Sequence, residues 1–282
     1  MGYGTYSSEA YASLVVRHGY QRKSRSEIFD ARRIDPDMDP RQVTVRESRD
    51  SVEHPNSVPI VVALDVTGSM GFVPEQLVRN DLPKLMDGII QAGIADPQIM
   101  FCAVGDHIHD RAPLQVGQFE SSAELLDRWL TRMYLEGGGG GNHHESYNLA
   151  YLFAARHTAS DAWDKRRQKG FLFTIGDEPC APNLPDVTIR AYTSGAGDRS
   201  VSTEAVLAEA GERYHVHHLH VVHDAVSATA RRTAGWAELL GPDFVVLQDP
   251  GTVGDTIASI VVDRIRNNRA GRVPDTDDWV IL

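Results

Sequence analysis

Residues 58–71 read VPIVVALDVTGSMG, an apolar run that ends by placing Asp65, Thr67 and Ser69 at alternate positions around a glycine. A run this continuously apolar predicts a strand covered on both faces, the kind found inside a parallel sheet. Three clustered oxygen donors at its end leave three readings open: a cation site, a phosphate-attacking nucleophile, or a turn closed by side-chain hydrogen bonds.

Further apolar runs predict strands at 98–105, 112–119, 170–177, 214–222 and 243–249, separated by helical patterns at 74–93, 121–135, 145–160, 203–213, 225–241 and 253–268. Pro83 inside the first of these helices predicts a kink. Only DHIHDR (106–111) joins the second strand to the third, too short for a helical crossover, so that pair is expected to be antiparallel and at an edge. The alternation predicts a three-layer α/β/α, doubly wound, mostly parallel six-stranded sheet with one antiparallel edge strand. Residues 58–268 form this domain in the sequence reading. A polar arm (1–57), rich in both charge signs and broken by prolines, precedes it, with one short helix expected in SSEAYASLVVRHG (7–19). A tail (269–282) ending in four apolar residues follows.

The chain has 282 residues and a formal net charge of -11, which repels phosphate backbones and argues against a nucleic-acid partner. No run approaches the roughly 18 apolar residues of a membrane span. Two cysteines, Cys102 and Cys180, give no disulfide framework, and the expected location is cytoplasmic.

In open α/β sheets ligands bind beyond the carboxyl ends of the strands, and three loops there carry polar clusters. The first holds Asp65, Thr67 and Ser69. The second is EGGGGGNHHES (136–146), and the third is TIGDEPCAP (174–182) with Asp177. Two carboxylates, two hydroxyls and an amide carbonyl make a hard oxygen set of the kind Mg²⁺ or Mn²⁺ accepts.

Together DVTGSMG, the glycine loop before a helix and TIGDEP resemble the von Willebrand factor A domain with its metal-ion-dependent adhesion site. GGGGGNHHES and FLFTIGDEPCAP further resemble the variant found in alpha-kinase-associated proteins and bacterial relatives. The resemblance implies that Asp65, Thr67, Ser69 and Asp177 serve a cation (Mg²⁺, or Mn²⁺ or Ca²⁺). It also implies a second-loop ligand, for which Asn142 stands where a threonine is usual. Glu145 is the rival, and the N-x-x-E spacing of Asn142 and Glu145 also fits a helix-capping box. The function implied is an intracellular bacterial adaptor that binds a protein partner's acidic side chain through the cation, the partner being an ATPase or kinase-like component. A Mg²⁺-dependent phosphohydrolase is the alternative from another class, disfavoured because position 67 is threonine rather than a second aspartate. A purely structural interaction domain with a decayed site is the third.

The run YHVHHLHVVHD (214–224) places His215, His217 and His223 on one strand face and His218 and His220 on the other. Packed, hydrogen-bonded histidines are expected there rather than a zinc site. His107, His109 and Asp106 in the loop after the second strand, and His143 and His144 in the second loop, lie near the cation end.

Overall fold

The computed structural model describes residues 4–138, 143–192 and 199–269. Six strands form the central sheet: β1 (Val58–Asp65), β2 (Pro97–Val104), β3 (Leu114–Val116), β4 (Gly170–Gly176), β5 (Tyr214–Val221) and β6 (Phe244–Leu247). Their order is β6-β5-β4-β1-β2-β3, all parallel except β3, which runs antiparallel to β2 at the edge as the short 106–111 connection requires. Strand order reverses between β1 and β4, so the crevice at their carboxyl ends is the topological switch point.

Along β1, Ile60, Val62 and Leu64 face one buried cluster, while Val61 and Ala63 face the other. The first face is covered by α1 (Ser8–His18), α3 (Leu82–Gln91), α4 (Ala123–Thr131) and α7 (Val253–Arg269); the second is covered by α5 (Tyr147–Arg156) and α6 (Thr203–Gly211). Among the described residues, no helix is long and apolar enough to cross a membrane.

The segment ahead of β1 lies against this core. Tyr11, Leu14, Val15, Tyr20, Ile28, Phe29 and Met38 are buried in the same cluster as Ile60 and Leu64. Arg46–Ser48 adds a short parallel ladder to Thr158–Ser160. That ladder corrects the helix expected over 145–160: α5 stops at Arg156, and the β-branched Thr158 opens a strand whose hydroxyl donates to the Ala154 carbonyl.

Two further helices differ from expectation. The helix expected over 74–93 is three segments: α2 (Phe72–Gln76), a π-helical turn (Leu77–Asp81) and α3, so Pro83 is absorbed by a wider turn. The helix expected over 225–241 survives only as Trp236–Leu240. Ahead of it, the Thr229 and Thr233 hydroxyls donate to the Val226 and Ala230 carbonyls, Asp224 accepts from the Val226 and Ser227 amides, and Gly235 is left-handed at φ 81°. Those local bonds hold the chain in successive turns.

Candidate functional site

Asp65 is the last residue of β1, and its side chain is fully buried. Its Oδ1 accepts from the Thr67 amide (2.9 Å) and the Thr67 hydroxyl (2.6 Å); its Oδ2 accepts from the Tyr147 hydroxyl at 2.9 Å. The D-x-T spacing therefore folds the threonine back onto the carboxylate. Ser69 is exposed, and its hydroxyl donates to Asp177 Oδ1 at 3.2 Å, joining the loop after β1 to the loop after β4. His223 Nε2 lies 3.0 Å from Asp177 Oδ2. Gly138 sits beside the first loop: the Gly68 amide donates to the Gly138 carbonyl at 2.6 Å, and a Cβ on Gly68 would stand 3.2 Å from that oxygen.

Thr67 is buried with Asp65, and Asp177 is 4% exposed. Asn142 lies outside the described residues, as do residues 270–282 of the expected tail. Glu145 is not the third residue of a helix, as a capping box requires, because α5 starts at Tyr147 with Ser146 before it. Glu145 instead forms a parallel bridge with Cys180. Its amide donates to the Pro179 carbonyl, and its carbonyl accepts from Ala181. That pairing ties the second loop to the third and leaves Glu145 4% exposed, with Oε2 unpartnered.

The electrostatics follow from this burial. Loss of water, followed by the nearby charges of Asp65, Asp110, Asp106 and Asp177, pushes Glu145 up to about 10. Burial and then Asp177 push Asp65 up to about 7, against the bonds from Thr67 and Tyr147. An acidic group held this way either keeps its proton or faces a cation.

Two participants escaped sequence reasoning. In the sequence Tyr147 is one residue of a helical pattern, yet its hydroxyl reaches Asp65 because Gly176 closes β4 without a side chain. A Cβ on Gly176 would fall 1.7 Å from the Tyr147 hydroxyl oxygen. The signal was present in TIGDEP as a glycine at a strand end, a mark of close approach. His223 lies beyond the end of β5, so strand alternation does not govern it, and it turns to Asp177.

The other histidines keep the expected alternation. His215 and His217 pack at 5.4 Å from Phe171 and 5.2 Å from Phe173, on the α7 face. His218 stacks on Trp236 at 3.6 Å, and His220 Nε2 is 2.8 Å from the Ser227 carbonyl. Burial lowers His215 to about 4 and His217 to about 3, with Arg264 adding to both. Trp236 also donates from Nε1 to the Glu178 carbonyl, and Arg232 pairs with Glu178, so residues 223–240 hold the third loop in place.

Among the described residues, no three His, Cys, Asp or Glu side chains are arranged to hold a metal ion by themselves. Hydroxyls, main-chain oxygens or water must complete any shell.

No family model matches the chain, and no curated protein matches its sequence. Among solved structures it is similar to the pilus adhesin SpaC of Lactobacillus rhamnosus GG, with TM-score 0.50 and 13% identity over 79% of this chain. This chain spans 31% of SpaC's length. It is similar also to the vWF domain of the type V pili tip protein Mfa5 of Porphyromonas gingivalis (TM-score 0.45, 10% identity, 84% of this chain, 100% of that one). A third is proximal thread matrix protein 1 of the mussel byssus with a zinc-occupied MIDAS motif (TM-score 0.43, 9% identity, 78% and 48%). At these identities the likeness is one of fold alone: a six-stranded mixed sheet between helices.

Proposed function

We propose that this chain is a divalent-metal-dependent protein-binding module. Asp65, Thr67, Ser69 and Asp177 hold a hard cation such as Mg²⁺ or Mn²⁺, and Asn142 or Glu145 adds an oxygen from the second loop. The observation that carries the reading is the Glu145 carboxylate, buried with one oxygen unpartnered among four other acidic side chains. Such a group keeps its proton unless a cation stands near it, and an all-oxygen donor set suits a hard divalent ion.

A bound cation would supply an open coordination position for a partner's carboxylate. The protein's own side chains do the rest. Thr67 and Tyr147 fix Asp65 from both sides, Ser69 faces solvent where a partner can reach it, and His223 orients Asp177. Threonine at position 67, where a phosphohydrolase of this kind would carry a second aspartate, disfavours that reading. The free thiols Cys102 and Cys180 suit a cytoplasmic setting, and an assembly component such as an ATPase or kinase-like protein is the proposed partner.

The test is capture of partners on immobilised full-length protein in Mg²⁺, in chelator, and with Asp65→Ala. The proposal expects a protein retained only by the native chain in Mg²⁺. The same partners in all three arms would exclude metal-dependent binding.

A further inference from the structure

The π-helical turn that follows the Thr67–Ser69 loop leaves a backbone group unsatisfied. Within that turn the Leu82 amide donates to the Leu77 carbonyl, a span of five residues. By the same span, the next bond would run from residue 83 to the Val78 carbonyl, but residue 83 is proline and has no N–H. The missing donor comes from outside the helix: the Tyr11 hydroxyl on α1 donates to the Val78 carbonyl at 2.7 Å in a buried position. The neighbouring Arg79 carbonyl also accepts from Gln21 Nε2, at 3.2 Å.

Side chains reinforce this junction. Arg25 donates from Nε to Glu75 Oε2 at 2.8 Å, and Arg79 donates to the other oxygen of Glu75 and to the Tyr20 and Lys23 carbonyls. The Arg25 guanidinium also lies over Gly71, the residue that ends the DVTGSMG loop, 3.2 Å from where a Cβ would stand. On its other side the short helix α2 reaches the third loop through His223, with Phe72 edge-on to His223 at 5.4 Å and His223 on Asp177. The segment ahead of β1 thus holds the helix that carries the first loop and, through Phe72, reaches the third.

We infer that Tyr11 and Arg25 are positioning residues of the oxygen-lined site: they fix the register of residues 71–82, and with it the placement of Thr67 and Ser69. This rests on the metal-binding reading above. Orienting partners of metal ligands typically change affinity by about 10- to 100-fold, so single substitutions here are expected to weaken metal binding about tenfold.

The experiment titrates Mn²⁺ into the full chain and into Tyr11→Phe, Arg25→Ala and Arg25→Lys, with Val16→Ala, an exposed position on the same helix, as control. Amide hydrogen exchange of residues 68–84 is followed without metal. Tyr11→Phe and Arg25→Ala should bind about tenfold more weakly at unchanged stoichiometry, with faster exchange over 68–84. Arg25→Lys should recover most of the affinity, and Val16→Ala should match the native chain. Native affinity in both Tyr11→Phe and Arg25→Ala would overturn the inference. If the native chain itself takes up no Mn²⁺, the metal reading fails, and exchange alone decides the positioning role: faster exchange in Tyr11→Phe supports it, and unchanged exchange overturns it.

Discussion

Carboxylates gather at both ends of the same sheet, and the two ends treat them differently. At the amino end, Asp50 accepts from Arg166 at 2.6 Å and from the Ser57 hydroxyl at 2.8 Å, and Asp161 is bonded by Arg49 at 2.9 Å and Lys165 at 2.7 Å. Burial works the other way, yet Lys165, the Asp50 amide and Arg49 hold Asp161 down to about 2. At the carboxyl end, among the described residues, Asp65 accepts only from an amide and two neutral hydroxyls, and both it and Glu145 are pushed up. The arginines at one end close an ion-paired network around the start of β1. At the other end Arg232 pairs with Glu178, but among the described residues no arginine or lysine is bonded to Asp65 or Glu145, which is the arrangement a cation-binding site needs.

The largest expected effect that would break this comparison is on metal response. Added Mg²⁺ should raise the melting temperature of the native chain, and Asp65→Ala should abolish that rise. A rise of equal size in the variant would place the cation elsewhere.

Next comes packing beneath the site. Gly176→Ala drives a methyl group into the Tyr147 hydroxyl, and urea unfolding should show a loss of about 1–3 kcal/mol. Full stability in that variant would mean that Tyr147 does not stand on Asp65 as described.

Arg166→Ala sharpens the contrast from the amino end. It leaves Asp50 without its arginine, and about 1–3 kcal/mol of stability should be lost in urea unfolding, while the Mg²⁺-induced melting shift stays as in the native chain.

The last test is a pH slope. Without metal, native Glu145 keeps its proton up to about 10, whereas in the unfolded chain it titrates near its ordinary 4.5. The native state then binds more protons across that interval, so Glu145 costs stability increasingly as pH rises through it. Glutamine carries no such cost. The melting temperature of metal-free Glu145→Gln should therefore gain on the native chain between about pH 5 and about pH 8. Comparing the two proteins cancels the buried histidines, which act oppositely below their ordinary 6.5. A constant difference across the range would contradict the burial described for Glu145.

What the sequence carried best was periodic. Six apolar runs became the six strands, and the short DHIHDR link (106–111) between the second and third runs marks the antiparallel edge in the sequence itself. Asp65 and Asp177 were legible because a polar residue ending an apolar strand breaks the pattern visibly. The misses have one physical cause: contacts between residues far apart in the chain. Nothing local in residues 145–160 says that Thr158 pairs with Arg46, or that Tyr147 fits beneath Gly176. The turns of 224–234 were missed because serine and threonine side chains compete with helical bonds, which an apolar pattern does not report.

The measurement that reaches the central claim most directly is calorimetric titration of Mg²⁺ into the full chain near pH 6.5, in two buffers of different ionisation enthalpy. Burial and mutual repulsion raise both Asp65 and Glu145, so the pair holds at least one proton there without metal. A cation should bind at one site with net release of protons, seen as heats that differ between the buffers. Absence of heat in both buffers, or equal heats with no proton released, would contradict the account.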